Sequence, residues 1–183
     1  MNQDEAVALI RGAVATQGGT WADLGAGSGT FSRALASLLG RGGVVYAVDR
    51  DAAALRELER TLARGGASQA AEVRPRVGDF ATDVALPELD GVVIANALHF
   101  VPYERQAAVL ERIAGLVSPG CPIVVVEYER RRANRWVPYP IDRSTFAEVA
   151  REAGVSTPVL LATRPSRYSG TIYSVVVRRD PVA

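Results

Sequence analysis

The residues of this chain that could do chemistry stand directly after its apolar runs. The turn Asp23-Leu24-Gly25-Ala26-Gly27-Ser28-Gly29 closes the run 20–24, and Asp49 closes 44–48. Gly78-Asp79-Phe80 follows 73–77, Asn96 follows 91–95, and Glu127-Tyr128 follows 123–126. Glycines permit positive φ and let a backbone lie directly against a ligand. A helix opening near Thr30 would aim its unpaired N–H groups at the same place. Asp49 stands 20 residues beyond Gly29, the separation at which an acid on a second strand accepts hydrogen bonds from both ribose hydroxyls. The glycine spacing narrows the ligand further. A dinucleotide fingerprint asks for glycine at 25, 27 and 30, but position 30 is Thr30. The chain has no lysine to form a phosphate-binding P-loop. Asp23, close to the turn, would repel a pyrophosphate and attract an ammonium. An adenosine ligand with a cationic amino-acid tail and no phosphate is S-adenosylmethionine.

Such residues need a frame that sets them along one edge. Apolar spacing alternates between helical and strand periods, which predicts an α/β chain with an open, mostly parallel sheet covered on both faces. Asp4 is expected to cap a first helix through Val7, Leu9, Ile10, Ala13 and Val14, stopped by Gly18-Gly19. Further helices are expected through Phe31, Leu35 and Leu38, through Leu55, Leu58 and Leu62 (capped by Asp51, closed by Gly65-Gly66), over 104–116 and over 144–153. Strands near 159–162 and 171–177 would form a terminal hairpin, and 129–142 reads as irregular. In an open sheet of this kind ligands bind at the carboxyl ends of the strands, where strand order reverses.

The pattern resembles the class I S-adenosylmethionine-dependent methyltransferases. The likeness rests on Asp23-x-Gly25-x-Gly27-x-Gly29, Asp49, Gly78-Asp79-Phe80 and Asn96-Ala97-Leu98-His99, and it covers nearly the whole chain. It implies a Rossmann-like three-layer αβα sandwich with a seven-stranded, mostly parallel sheet and an antiparallel last strand, formed as a single domain over 1–183. By the same resemblance Asp23 and the backbone of Gly25, Ala26, Gly27, Ser28 and Gly29 hold the methionine end, and Asp49 holds the ribose. Asp79, after Gly78, accepts from the adenine amino group, while Phe80 or Arg50 packs on the ring. Asn96 and Ala97 line the sulfonium, mainly through backbone carbonyls. The cofactor is then S-adenosylmethionine and the product S-adenosylhomocysteine.

Methyl transfer from a sulfonium is an in-line displacement, and a base is needed only where the accepting atom must lose a proton. His99, Glu127 and Tyr128 are the catalytic candidates, and His99 alone has an ordinary pKa suited to a base near neutrality. Tyr103, Arg132, Trp136 and Tyr139 are candidates for lining the acceptor pocket. Substrate choice is expected in the first helix, in Phe100-Val101-Pro102-Tyr103, in the arginine- and aromatic-rich segment from Arg130 to Tyr139, and in Arg164-Pro165-Ser166-Arg167-Tyr168.

Composition bounds the remaining readings. A net charge of +1 with interspersed signs argues against a nucleic-acid footprint. Asn96-Ala97-Leu98-His99 also departs from the Asn/Asp-Pro-Pro-aromatic segment of base methyltransferases. One histidine and one cysteine exclude multi-histidine and thiolate metal centres, and no convincing acidic cluster supports a metal-dependent catechol-type relative. Cys121 is expected to be a buried packing residue. No apolar run is long enough to span a bilayer, and the acidic start Met1-Asn2-Gln3-Asp4-Glu5 does not read as a secretory signal. The expected location is cytoplasmic, and the all-arginine base set points to a GC-rich bacterial source. About 20 residues precede the first strand, so the pocket is expected to be open or covered by a partner subunit, with a homodimer as one form. The competing reading from another class is a non-catalytic S-adenosylmethionine-binding module or a subunit that activates a partner.

Overall fold

The computed structural model describes residues 1–65, 70–82, 84–167 and 170–179. Gly66 and Tyr168 lie outside the described residues. In chain order the elements are α1 (Gln3–Ile10), β1 (Gly19–Leu24), α2 (Thr30–Leu39), β2 (Gly43–Asp49), α3 (Ala52–Gly65), β3 (Glu72–Val77) and β4 (Gly91–Ala95). There follow α4 (Tyr103–Ala114), β5 (Pro122–Tyr128), α5 (Arg143–Glu152), β6 (Val159–Pro165) and β7 (Thr171–Arg178). Short 3₁₀ turns at Arg11–Ala13 and Leu98–Phe100 were not foreseen from periodicity.

Seven strands form one sheet in the order β3-β2-β1-β4-β5-β7-β6. β1 to β5 pair in parallel, and β7 runs antiparallel to both β5 and β6. Strand order reverses between β1 and β4, so the functional residues should gather there. The register brings them together: Leu24 faces Val48 on one side and Ile94 on the other, and Ala95 faces Val126.

The valine and isoleucine runs of β4 and β5 are buried on both faces. Val92, Ile94, Ile123 and Val125 pack into a core with α4 and α5. Val93, Ala95, Val124 and Val126 point the other way, into a core with α1 and α2. Successive strand side chains alternate faces, so continuous apolar sequence is what a sheet covered on both sides requires. On the α2 face, Leu55 and Leu58 of α3 pack on Ala26 and Ala47.

Three sequence expectations about the elements need correction. α1 ends at Ile10, short of the expected Ala13 and Val14, because the chain tightens into the 3₁₀ turn Arg11–Ala13. Asn2, not Asp4, caps α1: its side chain accepts from the Glu5 N–H at 2.9 Å, while Glu5 accepts from the Asn2 N–H at 2.8 Å. Asp4 lies inside the first turn, where its charge suits the helix dipole but its side chain is past the capping position. Cys121 is half-buried at the margin of the α4/α5 core, not enclosed by it. By contrast Asp51 caps α3 as expected, its Oδ1 accepting from the N–H groups of Ala53 and Ala54. No helix among the described residues is long and apolar enough to cross a membrane.

Candidate functional site

The turn after β1 is held against its neighbours by backbone. The N–H groups of Gly25 and Ala26 both donate to the Val48 carbonyl of β2, at 2.9 and 3.0 Å. Gly25 has φ of 80° and passes so near β4's exit that a Cβ there would sit 2.4 Å from the Cβ of Ala97. Only glycine fits both conditions. Gly27, at φ 53°, faces open space: a Cβ built on it would meet nothing within 4 Å. Its N–H donates to Asp49 Oδ2 at 2.7 Å, and Asp49 Oδ1 accepts from the Asp51 N–H at 2.8 Å. Those bonds fix the carboxylate while leaving each oxygen a further lone pair, since an ionised carboxylate offers about four acceptor positions.

Around this turn lies a cavity of about 530 Å³. Gly25, Gly27, Asp49, Arg50, Gly78, Asp79, Phe80, Asn96 and Ala97 line it, so most of the sequence-nominated cofactor residues converge on one space. Asp79 is held by its own turn, Oδ1 accepting from the Ala81 N–H at 2.8 Å. Ala26, Ser28, Gly29 and Asp23 are not among the lining residues. Ala26 packs beneath the turn on Leu55 and Leu58, Ser28 is exposed, and Gly29 caps α2 against Leu58. Asp23 is buried under the turn and accepts from Ser32 Oγ at 2.6 Å. Burial raises its carboxyl to about 7, against the lowering effect of the Ser32 hydrogen bonds. Asp51, Ala81 and Arg105 also line the cavity and were not nominated from sequence. Asp51 was read only as a helix cap, and Arg105 sits in the first turns of α4, outside any motif.

A second cavity, of about 570 Å³, shares Asn96 and Phe100 with the first and is otherwise lined by His99, Tyr128, Arg130, Asn134, Trp136 and Val137. Asn96 stands between the two. It is the only non-glycine with positive φ among the described residues, at 52°, a region asparagine tolerates better than most. Its N–H donates to Val126 at 2.8 Å, which keeps β4 and β5 paired to this point. Its Oδ1 is buried without a hydrogen-bond partner among the described residues.

His99 and Glu127 are 2 % and 0 % exposed, and they are bonded to each other. His99 Nδ1 lies 2.7 Å from Glu127 Oε2, and the His99 backbone N–H donates to Oε1 at 3.2 Å. A carboxylate only accepts, so the shared proton belongs to Nδ1, and in the neutral ring Nε2 carries the lone pair. Phe100 and Tyr128 flank the imidazole with centroids 4.4 and 6.1 Å away.

The segment 129–142 forms one wall of this cavity and is pinned along its length. Glu129 pairs with Arg143 and Arg131 with Asp142. The Tyr139 N–H donates to the His99 carbonyl at 3.1 Å, and Tyr173 Oη donates to the Ile141 carbonyl at 2.8 Å. Asp142 also caps α5. Burial would raise its carboxyl, but the Thr145 N–H, Arg131 and the Ser144 and Thr145 hydroxyls hold it well below the usual range. Trp136 reaches the cavity rim, whereas Arg132, Tyr103 and Tyr139 line neither cavity. The two tyrosines pack edge to face, 5.4 Å apart. Arg132 is exposed, and its carbonyl accepts from Arg130 Nε at 2.9 Å. α1 also lines neither cavity. It packs on α2 and the β6–β7 edge, tied by Ser174 Oγ to the Leu9 carbonyl and by Arg164 to Glu5, both at 2.6 Å. Asn134 and Val137 line the second cavity from within the segment expected to set substrate choice, though an irregular segment has no periodicity from which to infer which of its side chains face inward.

A family model described as a methyltransferase domain matches residues 22–123. No curated protein matches the chain by sequence. Among solved structures, the fold is similar to magnesium protoporphyrin IX methyltransferase from Synechocystis PCC 6803 with bound S-adenosylmethionine. The TM-score is 0.71 at 18 % identity, over 97 % of this chain and 78 % of that one. It is similar to 1,6-didemethyltoxoflavin-N1-methyltransferase from Burkholderia thailandensis, with TM-score 0.74 and 22 % identity over 98 % of this chain and 78 % of that one. It is also similar to a SAM-dependent methyltransferase from Methanosarcina mazei, with TM-score 0.76 and 13 % identity over 94 % and 98 % of the two chains.

Proposed function

Since the chain belongs to the methyltransferase domain family, we propose that it transfers a methyl group from S-adenosylmethionine to a small-molecule acceptor, with His99 as the base. The observation that carries this reading is the junction at Asn96 of two cavities, one with a backbone cradle and strand-end carboxylates, the other with a buttressed imidazole.

The cofactor is S-adenosylmethionine, and the first cavity fits it. Gly27 leaves room where a side chain would intrude. Asp49 presents a fixed carboxylate with capacity for ribose hydroxyls. Asp79 and Phe80 offer an acceptor and a ring for adenine. Asp23, buried behind the turn, accepts from Ser32 Oγ and so braces the start of α2 beneath the amino-acid end. The bound cofactor supplies a methyl on a positive sulfur, which keeps the C–S electron pair when the acceptor's lone pair takes the methyl.

The chain's own residues then do three things. Asn96 and Ala97 hold the passage between donor and acceptor, so that the two ligands meet in line; such positioning is worth ~7–11 kcal/mol in favourable cases. The wall of half-buried Tyr128 and buried Val137 limits water around the acceptor. His99 takes the acceptor's proton on Nε2, while Glu127 orients the ring and balances the charge that develops. The structural relatives named for magnesium protoporphyrin IX and 1,6-didemethyltoxoflavin support a small-molecule acceptor.

Calorimetry tests this reading. S-adenosylmethionine and S-adenosylhomocysteine should bind and NAD should not, and a metabolite panel should yield S-adenosylhomocysteine. Binding of NAD instead would overturn the cofactor assignment. Cofactor binding with no turnover across a broad panel would favour the non-catalytic module.

A further inference from the structure

One charge in the second cavity is not cancelled by its surroundings. Of the arginines around the segment 129–143, Arg131 is paired with Asp142 and Arg143 with Glu129, while Arg135 lies over the Trp136 ring at 4.7 Å. Arg130 is half-buried in the cavity wall, and among the described residues no carboxylate lies within ion-pair distance of it. Its Nε is spent on the Arg132 carbonyl, which orients the guanidinium and leaves its two terminal nitrogens for a ligand. The carboxylate that belongs to the site, Glu127, is already bonded to His99. The remaining wall is aromatic or apolar: Phe100, Tyr128, Trp136 and Val137. A planar guanidinium with two parallel N–H groups suits a two-oxygen anion such as a carboxylate. Aromatic walls suit a flat ring.

We propose that the acceptor is an aromatic hydroxy acid: a flat ring whose carboxylate pairs with Arg130 and whose hydroxyl reaches His99 Nε2. This rests on the reading of the second cavity as the acceptor site. The hydroxyl proton moves to Nε2, the oxygen lone pair forms the new C–O bond, and the C–S pair stays with sulfur. The products are an aryl methyl ether and S-adenosylhomocysteine, and the imidazolium returns its proton to solvent. Arg130 touches the substrate away from the reacting atoms, so its part is to select and place the acceptor.

The test uses the full chain loaded with S-adenosylhomocysteine and titrated by calorimetry. The probes are 2-, 3- and 4-hydroxybenzoate and 3-hydroxy-2-naphthoate, each beside its carboxamide. At least one acid should bind about tenfold or more tightly than its amide, as expected of a charge-assisted, partly desolvated pair. Arg130→Gln should reduce that preference below about twofold without changing S-adenosylhomocysteine affinity, and Arg130→Lys should keep part of it. Equal binding of acid and amide, no binding by any probe, or a preference that survives Arg130→Gln overturns the proposal. Failure of the underlying reading looks different. If S-adenosylhomocysteine itself does not bind, the cofactor site falls and this proposal with it. If the acid preference holds but His99→Gln leaves ether formation unchanged, the base assignment alone is wrong and Arg130 stands.

Discussion

The cavity beside β1 and β2 and the cavity beside β5 are built by different means. The first is made by main chain and by carboxylates at strand ends, where Gly25, Gly27, Asp49 and Asp79 stand because the sheet's register puts them there. The second is made by side chains, from a 3₁₀ turn, the end of β5 and a pinned irregular segment. A site made of backbone follows from the fold and binds what the fold's geometry suits. A site made of side chains can change its ligand while the sheet beneath stays the same. One cavity therefore reports the shared chemistry, and the other reports what is particular to this chain.

Substitutions on each side should separate the two contributions. The largest effect is expected from His99→Gln, which removes the base and should lower kcat about 10²–10⁴-fold while S-adenosylhomocysteine affinity stays unchanged. Glu127→Gln should act in the same direction, through the ring it orients. If both leave turnover intact, the second cavity is not where the proton is lost. Asp49→Ala should act on the other side, weakening S-adenosylhomocysteine about 10–100-fold by calorimetry, the worth of hydrogen bonds to a charged group. Should affinity hold, the ribose is not at Asp49.

Asp142→Ala tests the pinned wall. Loss of the α5 cap and of the Arg131 pair should cost about 1–2 kcal/mol of stability, read as a lower midpoint in urea, with cofactor affinity unaffected. The smallest effect is a slope. Burial raises Asp23 to about 7 from 3.8, so between those values the folded chain holds a proton that the unfolded chain has released. Stability is then favoured on the acid side and falls as pH rises from about 4 to about 7. Asp23→Asn should remove that part of the fall. A pH dependence of the melting temperature identical to that of the parent chain would mean the buried carboxyl titrates as an ordinary one.

The same division explains how much was legible in the sequence. Glycines at 25 and 27 and the acids Asp49 and Asp79 are local signals, and all four converge on the first cavity because parallel strands align their carboxyl ends. The strand-end rule also found His99 and Glu127 separately. It did not foresee their bond, which depends on the register of β4 against β5 and on a 3₁₀ turn with no sequence period. Within the segment from Arg130 to Tyr139 the sequence does not say which side chains face inward, because their orientation is set by tertiary pins such as Tyr139 to His99 and Tyr173 to Ile141. Arg105 belongs to no motif, and its place follows from a bond to the Ala81 carbonyl. Asp23 was nominated for its charge, yet packing took it beneath the turn instead of into the cavity. The cap at Asn2 was missed because its capping box lies across the first residues of the chain, where Asp4 offered an equally plausible acid.

A crystal structure of the chain with S-adenosylhomocysteine bears most directly on the central claim. The ribose hydroxyls are expected on the Asp49 carboxylate, adenine between Asp79 and Phe80, and the sulfur at Asn96 facing the cavity that holds His99. A ligand seated elsewhere, or a sulfur turned away from that cavity, would contradict it.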